Sequence, residues 1–194
     1  MRSKRFGFLL AALPPVFVLA AYAQDSRQVS EPHIPATCLT LDASIAAQQG
    51  LIAPADERKL DTERIQKAID GCSSRGGAVI LRGKGRNNVF LTGPLQLRSN
   101  VTLVIEKDTA LVASRDPRLY DLTPGTCGIV SEHGHGCKPL ITADGVENGG
   151  IMGEGAIDGR GGANLLGHDV TWWDLAHEAK VKDLSQSVFA LIIL

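Results

Sequence analysis

From Ala78 to Ala113 the sequence falls into apolar runs too short to build a deep sheet by themselves. Ala78–Leu81 is continuous, while Leu95 and Leu97 alternate with polar neighbours, and Val101, Leu103 and Ile105 recur at every second position. Ala110–Ala113 follows at once. This period of two marks strands, with alternate side chains on opposite faces. Turn residues separate the runs: Gly83-Lys84-Gly85, Asn87-Asn88, Gly93-Pro94, Ser99-Asn100 and Lys107-Asp108. Strands this short and closely spaced do not pack readily as an antiparallel sandwich. They fit a coil of rungs, in which each strand stacks on the equivalent strand of the next turn.

The same pattern explains the composition. Gly is abundant at 21 residues and aromatic residues make up only 5%. The chain is 44% hydrophobic with a net charge of −1, which excludes a disordered segment. Lys plus Arg (20) and Asp plus Glu (21) nearly cancel, which disfavours a strongly basic nucleic-acid binder.

One helix stands out before the rungs. Ile65, Ala68, Ile69 and Cys72 follow the i, i+3, i+4, i+7 spacing of a single apolar face. Asp61 or Thr62 is placed to cap it, and Gly76-Gly77 ends it. Residues 114–139, with Pro117, Pro124, Pro139 and Gly125, read as an inserted loop. Rungs resume at Pro139–Ile141 and Gly150–Gly159. Thr171-Trp172-Trp173-Asp174 has the form of a capping box, predicting a short helix to about Lys180. Val188–Leu194 reads as a further buried strand.

The first 23 residues read as an export leader. Arg2, Lys4 and Arg5 precede an apolar stretch to Ala20, and Ala21-Tyr22-Ala23 has the A-x-A cleavage form. Cleavage would leave 24–194 as part of a single domain. Removing those three positive charges takes the net charge from −1 to −4. No second stretch is long enough to span a bilayer, so no membrane association is expected after cleavage. A secreted or periplasmic location follows, and there the four cysteines favour two disulfides. Three pairings are possible. Short loop closure favours Cys38 with Cys72 and Cys127 with Cys137. Cys127, His133, His135 and Cys137 offer an alternative metal set, but the spacing matches no standard zinc motif, and no metal is expected.

Candidate chemistry is sparse. Asp158, in Ile157-Asp158-Gly159-Arg160-Gly161-Gly162, has the look of a catalytic loop, yet Asp-Gly is common turn chemistry. Gly134-His135-Gly136 similarly reads as turning. Trp172 and Trp173 are weak candidates for stacking on a sugar, against the plainer role of anchoring a loop on the core. His168 and His177 flank them with no partner in evident spacing. No phosphate loop, dinucleotide fingerprint or nucleophile elbow is present, and no cofactor is expected. Asn100-Val101-Thr102 is a glycosylation sequon if the export route is eukaryotic.

Taken in order, several segments resemble glycoside hydrolase family 28, the polygalacturonase-like pectin hydrolases. They are Asp61-Thr62, Ile65-Gln66, Ala68-Ile69 and Cys72; Gly77-Ala78-Val79; Phe90–Leu95; Leu97–Leu103; Leu111–Ser114; and, most specifically, Ile151–Gly162. The match runs from about Ala36 onward. The resemblance implies a mainly β fold, a right-handed parallel β-helix with an N-terminal capping helix. It implies inverting hydrolysis of galacturonan in pectin, without metal or cofactor. The family's acid and base carboxylates lie in N-T-D and D-D motifs, accompanied by G-H-G and R-I-K, downstream of the I-D-G element. This chain has no N-T-D, D-D or R-I-K, and its Gly134-His135-Gly136 lies upstream of Ile157-Asp158-Gly159, so no catalytic position is carried over. The expectation is an N-terminal portion of such a hydrolase, incomplete at its C-terminus and inactive alone. A calcium-dependent polysaccharide lyase and a non-catalytic β-helix binding or surface protein are the competing readings.

Overall fold

The computed structural model describes residue 28, residues 32–47, 51–130 and 136–184, and the backbone of 192–193. The proposed leader, His133 and His135, and the expected strand at 188–194 apart from Ile192–Ile193 lie outside the described residues. The compact body comprises His33–Leu194.

Among the described residues this body has ten strands, two α-helices and two short 3-10 turns. In chain order the strands and α-helices are β1 (Thr37–Asp42), α1 (Thr62–Cys72), β2 (Gly77–Arg82), β3 (Val89–Thr92), β4 (Leu95–Gln96), β5 (Val101–Ile105), β6 (Ala110–Ala113), β7 (Ile141–Thr142), β8 (Gly150–Met152), β9 (Ala156–Asp158), α2 (Trp172–Val181) and β10 (Ile192–Ile193). Every strand pair is parallel. The chain visits three sheets in rotation: β1-β2-β5-β8, then β3-β6-β9, then β4-β7-β10. This is a right-handed parallel β-helix, each full turn laying one strand on each sheet.

Its core is a set of apolar ladders running along the helix axis. Val79 pairs with Leu103 and Leu103 with Ile151; Phe90 pairs with Leu111 and Leu111 with Ile157; Leu95 pairs with Ile141. The period-two alternation therefore has a direct packing cause, since equivalent inward positions of successive rungs stack on one another. Val89–Thr92 departs from it, being buried at all four positions. Phe90 points to the central core, while Val89 and Leu91 join Ile45, Ile52 and Val112 in a second cluster on the outside. The segment before α1 covers that outer face, so β3 reads as a continuous apolar run.

Helix α1 closes the N-terminal end. Ile65, Ala68, Ile69 and Cys72 are its buried positions. Of the two capping candidates at its N-terminus, Asp61 takes the N-cap position, but its side chain makes no cap hydrogen bond. Its carboxylate instead accepts from Arg64 Nε at 3.0 Å, and burial raises its pKa against the pull of Arg64. The Thr62 hydroxyl accepts from the Gly93 amide at 2.7 Å, which ties the cap to the corner before β4. At the other end Gly76, at φ +74°, donates to the Cys72 carbonyl at 2.8 Å and ends the helix. Cys72 is bonded to Cys38, which holds β1 against the cap.

Candidate functional site

Side chains gather at the corner between the second and third sheets. There the link from β3 to β4 is only Gly93-Pro94, whereas those after β6 and β9 are long. Asp116 opens the first long link by accepting from the Arg118 amide at 3.1 Å, and a 3-10 turn covers Pro117–Tyr120. Tyr120 is fully buried. Its hydroxyl donates to the Ser114 carbonyl at 3.0 Å, and burial pushes its pKa far above the usual tyrosine value. Asp121 then organises the cysteine loop. Its carboxylate accepts from the amides of Gly125 (2.8 Å) and Cys127 (2.7 Å), bonds that hold its pKa low. Cys127 is disulfide-bonded to Cys137, so neither sulfur is a thiolate available to a metal.

Beside this loop lies an ion cluster centred on Glu57, whose side chain is 4% exposed. Arg115 Nη2 donates to Oε1 at 3.0 Å; Arg160 donates through Nη2 to Oε1 at 2.5 Å and through Nη1 to Oε2 at 2.9 Å. Burial pushes the Glu57 carboxyl up, but the two guanidiniums prevail and hold it below the usual carboxylate range. Arg115 Nη1 also donates to the Asn164 carbonyl at 2.8 Å. One carboxylate thus fastens the segment before α1 to the links after both β6 and β9.

Two adjoining cavities of about 690 and 480 Å³ open at this corner, sharing Arg58, Leu60 and Leu119 in their walls. Arg118 is neutralised by Asp116 at 2.6 Å. Arg58 and Lys138 make no ion pair among the described residues, although Lys138 lies near enough to Asp121 to help hold its carboxyl low, so the groove presents two cations free of a direct salt bridge. Glu63 is the opposing charge on its rim. A groove of this kind suits a polyanionic ligand better than a neutral one.

The residues singled out from sequence meet different fates here. Asp158 is a turn residue: its carboxylate accepts from the Arg160 amide at 2.8 Å, an Asx turn that fits Arg160 at φ +51°. His168 lines the larger cavity. Trp172 is removed from sugar stacking by burial. It is 2% exposed and packs edge-on against Tyr120, with ring centres 6.0 Å apart. Trp173 is the opposite case, 71% exposed at the start of α2. Glu57, Arg115 and Arg160 were not identified from sequence. Glu57 and Arg160 lie 103 residues apart, and no spacing rule joins them.

Comparison with known proteins bears on this arrangement. No family model matches the chain. It is 40% identical over 189 residues to an endo-polygalacturonase of Pectobacterium carotovorum subsp. carotovorum, covering 97% of this chain and 43% of that protein. It is 39% identical over 171 residues to a polygalacturonase of Ralstonia solanacearum, covering 82% of this chain and 32% of that protein. The solved polygalacturonase from Erwinia carotovora ssp. carotovora superposes with a TM-score of 0.73 at 42% identity, over 87% of this chain and 41% of that one. The chain thus spans less than half the length of the relatives it matches.

Proposed function

We propose, for a chain whose sequence and fold are those of a polygalacturonase-like protein of glycoside hydrolase family 28, that it serves the hydrolysis of galacturonan in pectin. Its part is to supply the N-terminal cap, the first rungs and one end of the substrate cleft. The observation that carries this reading is identity of 40% sustained over 97% of the chain, on a shared β-helix. The substrate is a polymer with one carboxylate on each sugar, and the cavities walled by Arg58 and Lys138 are a part of this surface whose charge suits it.

Inverting hydrolysis needs one carboxyl group to protonate the leaving oxygen and another to activate water across the bond. Asp158 is committed to its turn and Glu57 to two arginines, which leaves neither free for proton transfer. The expected behaviour of the chain by itself is binding without cleavage. Two disulfides fit a non-cytoplasmic compartment. With the leader pattern they support secretion or a periplasmic location, and processing after Ala23. Among the described residues no helix is long and apolar enough to cross a membrane.

Electrophoresis through gels containing polygalacturonate, with neutral galactan as control, tests the binding. Retardation by polygalacturonate alone is expected, and equal mobility in both gels overturns the reading. Reducing ends released from polygalacturonate above a mock preparation would show that the chain cleaves, against the second part of the proposal.

A further inference from the structure

The cavities account for Arg58 and Lys138 but not for an exposed indole elsewhere. Trp173 is held rigidly by three independent features. The first is the complete capping box of α2: the Thr171 hydroxyl accepts from the Asp174 amide at 3.1 Å, and the Asp174 carboxylate accepts from the Thr171 amide at 2.8 Å. The second is a hydrogen bond from the Trp173 amide to the Gly161 carbonyl at 3.1 Å. The third is the bed on which the ring lies. A Cβ at Gly161 would meet indole Nε1 at 2.4 Å, and one at Gly162 would meet Cζ3 at 2.6 Å. The ring therefore spans two glycines with one face against bare backbone, and its other face is open. An indole fixed in place, 71% exposed and with one face open, is a surface on which the apolar face of a ligand can stack.

The helix also determines what lies beside it. His177 and Lys180 stand four and seven residues on, in the same stripe as Trp173, and both are exposed. Val181, also exposed, extends the apolar part of the stripe. The carboxylates of α2 already have partners: Asp174 is held by Thr171 in the capping box and has His177 nearby, and Glu178 is in an ion pair with Lys182 at 2.5 Å. An aromatic face with two basic groups beside it matches a uronic acid, whose ring has an apolar C–H face and an edge bearing a carboxylate.

We propose that the outward face of α2 is a uronate-binding platform, with Trp173 stacking on the sugar ring and His177 and Lys180 receiving its carboxylate. The proposal rests on the galacturonan reading above and adds a second contact surface, apart from the cavities at the corner. Its test uses the fact that the chain has two tryptophans, one buried and one exposed. Acrylamide quenching of the intact chain therefore reports Trp173. Trigalacturonate is expected to protect it, with galactotriose needing about tenfold more for the same effect. Lys180→Glu should weaken trigalacturonate about fivefold, while Trp173→Phe, which keeps a stacking ring, retains binding.

If trigalacturonate binds by calorimetry and Trp173 stays fully quenchable, the platform is overturned and the galacturonan reading stands. If galactotriose protects equally and Lys180→Glu changes nothing, the uronate assignment is overturned. If trigalacturonate does not bind at all, the platform is overturned, and gel retardation by polygalacturonate decides the galacturonan reading separately.

Discussion

Replacing Glu57 by Gln should be among the most damaging conservative changes in this molecule. The amide keeps the shape and an acceptor oxygen but removes the charge that two guanidiniums face. Breaking a buried ion pair from one side costs about 3–5 kcal/mol, because the abandoned charge stays desolvated. Here the arginine side chains retain 21% and 12% exposure, and Arg115 keeps its bond to the Asn164 carbonyl. Water reaches both, which discounts that cost below the range, to about 2–3 kcal/mol. For a domain of this size that lowers the melting temperature by about 5–10 °C. The assay is urea unfolding with the disulfides intact, run from neutral to acidic pH. Glu57 titrates below its ordinary value of 4.5 when folded. The unfolded state therefore binds the proton more readily, and the contribution of the cluster is complete above pH 4.5. It is lost as pH falls below that through the folded value. The gap between wild type and Glu57→Gln should be widest near neutrality and close in acid. A gap under about 1 kcal/mol at pH 7, or one that persists undiminished through the acid limb, would refute the assignment of Glu57 as the charged clasp of this corner.

Other perturbations test separate parts of the structure. Thr171→Ala removes the hydroxyl that accepts from the Asp174 amide, while the backbone amide of residue 171 keeps its bond to the Asp174 carboxylate; it should cost about 1 kcal/mol, read as faster amide exchange in the first turn of α2. Gly153→Ala sets a Cβ 2.0 Å from the Ile105 carbonyl at φ +111°, so a loss of at least about 2 kcal/mol is expected by thermal unfolding. The disulfides differ in the loops they close, with separations of 34 and 10 residues. Loop entropy then assigns about 4 kcal/mol to Cys38–Cys72 and about 2.5 to Cys127–Cys137. Paired Cys→Ala variants compared in urea should keep that order, and the reverse order would show that native packing outweighs chain entropy.

Much of the fold was legible because a β-helix repeats its physics. Val79, Leu103 and Ile151 are apolar for one shared reason, so the pattern recurs each time the chain returns to the same sheet. Helix α1 declared itself by its spacing, and α2 by Thr171 and Asp174. What stayed hidden depends on which distant segments meet. β3 gives a four-residue apolar run, and nothing in that run says that Ile45 and Ile52 cover its outer face. Asp61 has the composition of a cap, yet it spends its carboxylate on Arg64, while Thr62 reaches to Gly93 on the next rung.

The corner shows the same division more sharply. The Ile157–Gly162 segment is recognisable as a motif, but the motif does not reveal that Arg160 leaves its turn to meet Glu57. A charged side chain carries no periodicity, so a contact spanning 103 residues leaves no trace in local spacing. The adjacent tryptophans are the clearest case, since composition makes them equivalent and the helix makes them opposite. Successive helical positions lie about 100° apart, enough to send Trp172 into the core against Tyr120 and Trp173 onto the surface. The two glycines just ahead were the available signal. Gly161 and Gly162 turn the chain, and by having no side chains they also make room for an indole to lie flat with one face open.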